Sequence, residues 1–252
     1  MDNKKLIAGF GYQEGRISSW DGKRTYTQAV PQMAKHCCDN GVDEILVYDW
    51  SVTDEDHEAA IAVIKEVCRE ADAPVIAGGR VKRMEDVKKY LYAGASAVFL
   101  DMSKEENTDM IKEASDRFGK EKIYAYLPTD EYIDSVKDYE AAGASVMLLN
   151  TAGSVPSLLE MASISDSEAS FLFFLQAKDD AKDTAESLKN AFGCGNICGA
   201  VLTFTEDNMD SSMTIKQSLK AAGISVDTFE SSVDWKDFKL NSDGLIPVIV
   251  QD

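Results

Sequence analysis

The sequence predicts an α/β protein folded as a (β/α)8 TIM barrel, and three observations lead there. The first is repetition. "GVDEILVYD" (41–49), "GASAVFLD" (94–101) and "GASVMLLN" (143–150) share a glycine, two small or polar residues, an apolar run and a terminal Asp or Asn. Each follows an amphipathic stretch, so the glycine stands where a helix C-cap belongs. The second is that the apolar runs do not alternate, as expected of strands buried on both faces of a parallel sheet. The third is the number of such units. Eight βα units in 252 residues favour a closed barrel over the alternative, an open doubly wound sheet.

Read outward from the repeats, strands fall near 5–10, 44–49, 74–77, 97–101, 122–127, 146–150, 171–175 and 199–204. Helical periodicity fills the intervals near 26–40, 55–71, 84–93, 105–118, 131–142, 180–192 and 211–222. Between 153 and 166, Ser and Gly interrupt the pattern and "SLLEMA" alone looks helical. In a barrel of this kind, chemistry belongs at the carboxyl ends of the strands.

Acidic residues outnumber basic ones 44 to 26, a formal charge of −18. Such a field favours solubility and repels nucleic acid and anionic membranes, so neither is an expected partner. It also repels a sugar phosphate unless the site creates local positive potential. Five cysteines (Cys37, Cys38, Cys68, Cys194, Cys198) form no framework. Cys194 and Cys198 are four apart, but His36 and His57 supply no paired motif near them, so no metal and no cofactor is expected. The opening MDNKKLIAGF is too briefly apolar for a signal peptide, and no apolar run approaches a membrane span. The expected location is cytoplasmic.

"LIAGFGYQEGRI", "EILVYD" and "APVIAGGRVKRMEDVKKYLYAGASAVFLD" resemble the histidine-biosynthesis barrels. These are the phosphoribosylformimino-AICAR ribotide isomerase and the cyclase subunit of imidazole glycerol phosphate synthase. The match runs in order across most of 4–226 and is best in the first half. The resemblance implies a ribulose-phosphate-binding barrel and a doubly phosphorylated ribonucleotide. It further implies two catalytic Asp residues, at the ends of the first and fifth strands, acting as general acid and base. The phosphates would lie on glycine-rich loops and helix N-termini.

Measured against that pattern, several positions depart. Gly11 stands where the first Asp belongs, and Leu127 falls near the second, with Asp130 three residues on. Asp130 is a candidate for the missing acid or a helix N-cap. Ser19 replaces the lysine after the first strand, and Asp101-Met102 replace an Asn-Thr phosphate pair. The sixth-strand signature is missing from "LLNTAGSVP". Gln176-Ala177 replace the later glycines, Asp179-Asp180 follow where they would repel phosphate, and Phe204 stands where a small residue is expected. Gly78, Gly79 and Arg80 are the surviving phosphate-binding candidates. Arg80 either makes a bidentate phosphate contact or is a surface arginine paired with a neighbouring acid. Asp49 matches a positioning carboxylate of the family, or is a structural hydrogen-bonding one. Glu14 and Asp21 are further carboxylates of the mouth.

The expectation is a degenerate, non-catalytic barrel with a ligand-binding or assembly role, its ligand a phosphoribosyl compound. The alternative is an active sugar-phosphate isomerase or cyclase using Asp49, Asp101 and Asp130. Residues 1–229 would form the barrel. Residues 230–242 read as a polar linker with Trp235 and Phe238 as docking anchors. "SDGLIPVIVQD" then resembles the opening strand of phosphoribosyl-AMP cyclohydrolases, Leu245–Val250. Residues 230–252 are therefore expected to be a linker and the first strand of a cyclohydrolase domain, with a phosphoribosyl-ATP pyrophosphohydrolase beyond it. The zinc ligands and catalytic residues of the cyclohydrolase would follow Asp252, so this chain should not catalyse that step.

Overall fold

A computed structural model describes residues 3–20, 22, 25, 29–150, 166–193, 196–204, 208 and 210–228. Strands β1 (Lys5–Gln13), β3 (Glu44–Asp49), β4 (Val75–Gly78), β5 (Ala97–Asp101), β6 (Ile123–Leu127), β7 (Val146–Leu149), β8 (Ser170–Gln176) and β9 (Ile197–Thr203) pair in parallel, each with the next. β1 also pairs with β9, Gly9 lying opposite both Leu46 and Thr203, so the sheet closes on itself. This is the predicted (β/α)8 barrel. Helices α1 (Val30–Asp39), α2 (Asp54–Glu70), α3 (Met84–Ala93), α4 (Glu105–Phe118), α5 (Val136–Ala142), α6 (Ala181–Phe192) and α7 (Ser212–Ala221) connect the strands.

The three repeats fold alike. Each helix hands over to its strand through a glycine at positive φ, Gly41 (92°), Gly94 (110°) and Gly143 (110°). The next residue's N–H returns to a carbonyl five positions back, as Val42 to Cys37, Ala95 to Tyr90 and Ala144 to Tyr139. This left-handed cap costs a glycine little and satisfies the orphan carbonyls of the last turn. In every case the strand begins three residues after the glycine, so the repeats share one inside–outside phase.

That phase separates two cores. Ile7, Leu46, Ile76, Phe99, Leu148, Leu172 and Val201 fill the barrel, while alternate strand residues pack against the helices. At the amino-terminal end, the buried Lys216 ammonium of α7 meets Asp43 Oδ1 at 2.6 Å, and Asp43 Oδ2 accepts the Leu6 N–H at 2.7 Å. The last helix is thereby tied to the seam where the barrel closes.

Several boundaries differ from expectation; α1 begins at Val30 and not near 26, with Ala29 as its extended N-cap. β1 runs three residues past 10 because it turns back into β2 (Arg16–Ser18), an antiparallel hairpin with Gln13 opposite Arg16. Its turn, Glu14 (φ 48°) and Gly15 (φ 79°), needs two left-handed residues, and Glu14 is the one non-glycine with positive φ among the described residues. The helix expected over 131–142 divides into a 3-10 turn, Asp130–Ser135, and α5. The readings made for 153–165, Asp21, Cys194, the linker with Trp235 and Phe238, and the strand 245–250 lie outside the described residues.

Candidate functional site

At the carboxyl ends of β3 to β6 lies a cavity of about 520 Å³. Trp50, Gly79, Arg80, Lys82, Asp101, Lys104 and Tyr126 are among the residues that line it. Beside it, the barrel axis carries an aromatic plug. Trp20 sits across the mouth with its ring 4.4 Å from Phe174, 5.2 Å from Tyr48 and 5.8 Å from Tyr126. Its indole N–H donates to Tyr126 Oη at 3.2 Å, and Asn150 Nδ2 donates to the same oxygen at 2.8 Å. Tyr48 in turn stacks on Trp50 at 4.0 Å. Burial holds the Tyr126 phenol up at about 12, against the two hydrogen bonds that lower it.

Gly11, where the resemblance leads one to expect an Asp, faces this plug with no room for a side chain. A Cβ there would overlap Ser18 Oγ and lie 2.7 Å from Ser19 O and 3.0 Å from Trp50 Cδ1. Leu127 is buried in the helix-facing core, so the inward residue at the end of β6 is Tyr126. Asp130 is exposed at the start of the 3-10 turn, whose N-cap is Thr129 and which has no side-chain cap. The N-cap half of that reading therefore belongs to its neighbour.

Asp49 is buried with its carboxylate turned toward the helices. It accepts from Ser51 N (2.9 Å), Tyr90 Oη (2.8 Å) and His57 Nδ1 (2.7 Å). His57 Nε2 lies 3.7 Å from Asp86 Oδ1, which completes a buried link between β3, α2 and α3. Asp49 thus holds the frame behind the cavity. Glu14 is exposed at the tip of the hairpin.

Asp101 is a buried carboxylate of the cavity, satisfied by its own loop and by Tyr48 of β3. Ser103 donates through N (2.9 Å) and Oγ (2.7 Å), and Tyr48 Oη donates at 2.9 Å. Burial, then the nearby Asp101 charge, raise the Tyr48 phenol far above its ordinary value. The N–H of Met102 is spent on Tyr126 O at 2.9 Å, and that of Lys82 on Asp86 Oδ2 at 3.1 Å. Across the barrel, Asp180 caps α6 by accepting from Lys182 N at 2.8 Å. These donors suited to an anion are therefore engaged within the chain, two by carboxylates and one by a carbonyl.

The glycine pair has a packing explanation as well. A Cβ on Gly78 would overlap the carbonyl of Phe99, and Gly79 (φ 105°) has Tyr48 Cδ1 2.6 Å from the same point. Arg80 is buried, not a surface residue. Its Nη2 donates to Asp54 Oδ1 at 2.6 Å and weakly to Val52 O at 3.4 Å. That hydrogen bond, then the guanidinium charge, hold the Asp54 carboxyl below its usual value. Cys198 donates to Phe171 O at 3.3 Å, and no group of three or more His, Cys, Asp or Glu among the described residues could hold a metal. Among those residues, no helix is long and apolar enough to cross a membrane.

The aromatic plug was not apparent from the sequence, because Trp20 lies in a loop and follows no period. The phase of Asp101 was legible. It lies seven residues after its glycine, an inward position, whereas Asp49 lies eight after its own.

Residues 14–136 match the model of a family described as histidine biosynthesis protein. The imidazole glycerol phosphate synthase subunit HisF of Staphylococcus aureus, in strains Newman and COL, is 30% identical over 137 residues. That stretch is 53% of this chain and 53% of the relative, so the chain spans about half the length of the curated relatives it matches.

Proposed function

We propose that this chain, a histidine-biosynthesis barrel by the match of residues 14–136 and by its closed eightfold sheet, is a non-catalytic domain that binds a phosphoribosyl ligand at the cavity beside Arg80. The observation that carries the non-catalytic half is the sealed position at Gly11, where Ser18, Ser19 and Trp50 leave no space for a carboxylate. An acid–base reaction across a barrel mouth needs two groups that reach the substrate. Asp49 faces away, and Asp130 is exposed in a turn. The binding half rests on Arg80, Lys82 and Lys104 around one cavity in a chain of −18 charge. These three cations balance the cavity's own Asp49, Asp101 and Glu106, which leaves it less repellent to a phosphate than the overall field.

The resemblance of 245–250 to a cyclohydrolase strand supports a place in a cytoplasmic histidine-pathway protein, the barrel serving as ligand-binding or assembly partner of a cyclohydrolase domain. A second reading, an isomerase or cyclase, draws on the relatives' names and on Asp101 buried beneath the cavity. Incubation with the phosphoribosylformimino-AICAR ribotide separates the two. No turnover is expected. Turnover that Asp101→Asn or Asp130→Asn abolishes would establish the second reading.

A further inference from the structure

We propose that Asp54 is a displaceable internal ligand of Arg80, holding an anion position of the cavity until a phosphate takes it. This rests on the phosphate-binding reading of the cavity. The pair is lopsided: the Arg80 side chain is 6% exposed, and that of Asp54 is 85% exposed. A buried guanidinium needs an anion, because an unpaired charge in a low-dielectric site is costly. An exposed carboxylate gives up such a bond easily, since water replaces it.

The pairing also leaves the guanidinium under-used. Asp54 engages Nη2 alone, while Nε is buried with no hydrogen-bond partner. A phosphate has the oxygens to take two nitrogens of the fork at once. Lys82 and Lys104 line the same cavity and make no ion pair among the described residues, so they are free to add to that contact. Asp101 is the contrasting case. It is buried and bonded by Tyr48 and Ser103, and a ligand would not expel it. Asp101 is thus a fixed carboxylate of the cavity, whereas Asp54 is an exchangeable partner of Arg80 and sets its affinity for anions.

Calorimetric titration of the whole chain with inorganic phosphate, and separately with ribose 5-phosphate, tests this. Asp54→Asn should tighten phosphate binding roughly threefold to tenfold, from removal of one competing charge-assisted bond. Glu106→Gln removes a charge from the cavity wall without touching Arg80, and should change affinity by less than about twofold. Arg80→Gln should abolish binding; Arg80→Lys, which keeps the cation, covers the case in which that variant does not fold and should bind more weakly than wild type. If Asp54→Asn binds no better than wild type while the Arg80 variants are impaired, the latch is wrong and the anion cavity stands. Equal gains in Asp54→Asn and Glu106→Gln likewise overturn the latch. Wild-type affinity in the Arg80 variants, or no binding in any protein, overturns the cavity reading itself.

Discussion

Asp49 and Asp101 close two repeats of one sequence pattern, yet they do opposite things. Each bends its chain the same way, accepting the N–H of a serine two residues on at 2.9 Å. Asp49 then reaches outward to His57 and Tyr90, whereas Asp101 reaches inward to Tyr48. The cause is one residue of spacing. Both strands start three residues after a glycine, and the side-chain period is two, so an eighth position faces the helices and a seventh faces the barrel. Tyr48, not Asp49, is the counterpart of Asp101. Chemistry at a strand end is thus decided by counting from the helix cap, not by residue type.

The contrast can be broken at four points, taken from the largest expected effect down. Asp49→Ala should cost about 3–5 kcal/mol in urea unfolding, because it strips a buried His57 and Tyr90 of their shared acceptor. Unchanged stability with lost phosphate binding would make Asp49 a mouth residue after all. Gly11→Asp comes next, at about 1–3 kcal/mol from overpacking against Ser18 and Trp50, with no gain of turnover. Recovery of turnover would show that the plug yields.

Asp101→Asn should cost about 1–2 kcal/mol, since the amide keeps the shape and loses a charge-assisted acceptor. Unlike Asp49→Ala, it should strengthen phosphate binding, and a weakening would show that Asp101 contacts the ligand favourably. Asp130→Ala should shift stability by no more than about 0.5 kcal/mol, as an exposed residue in a 3-10 turn. A large effect on ligand binding there would restore it to the site.

Strand order and most helix positions were legible because the glycine caps and buried runs are local signals that repeat, whereas closure was favoured by the count of eight units alone. The hairpin was harder. Its Glu14-Gly15 turn relies on a glutamate at positive φ, against the local preference of that residue. The split of 131–142 turns on a 3-10 segment whose apolar spacing differs little from a helix. At the site, the substitutions at Gly11 and Asp101 could be read directly. What fills the space could not, since Trp20, Tyr126, Asn150 and Phe174 come from four separate stretches and meet only when the barrel closes.

The closed space at Gly11 also limits which substitutions the barrel accepts. An acid introduced there by a single codon change meets Ser18 and Ser19 before it meets any substrate, so its first effect is a loss of stability. The neighbouring hairpin and Trp50 would have to withdraw beforehand, and each withdrawal opens a void with no immediate benefit. The barrel mouth therefore disfavours an acid at position 11 until its neighbours have moved.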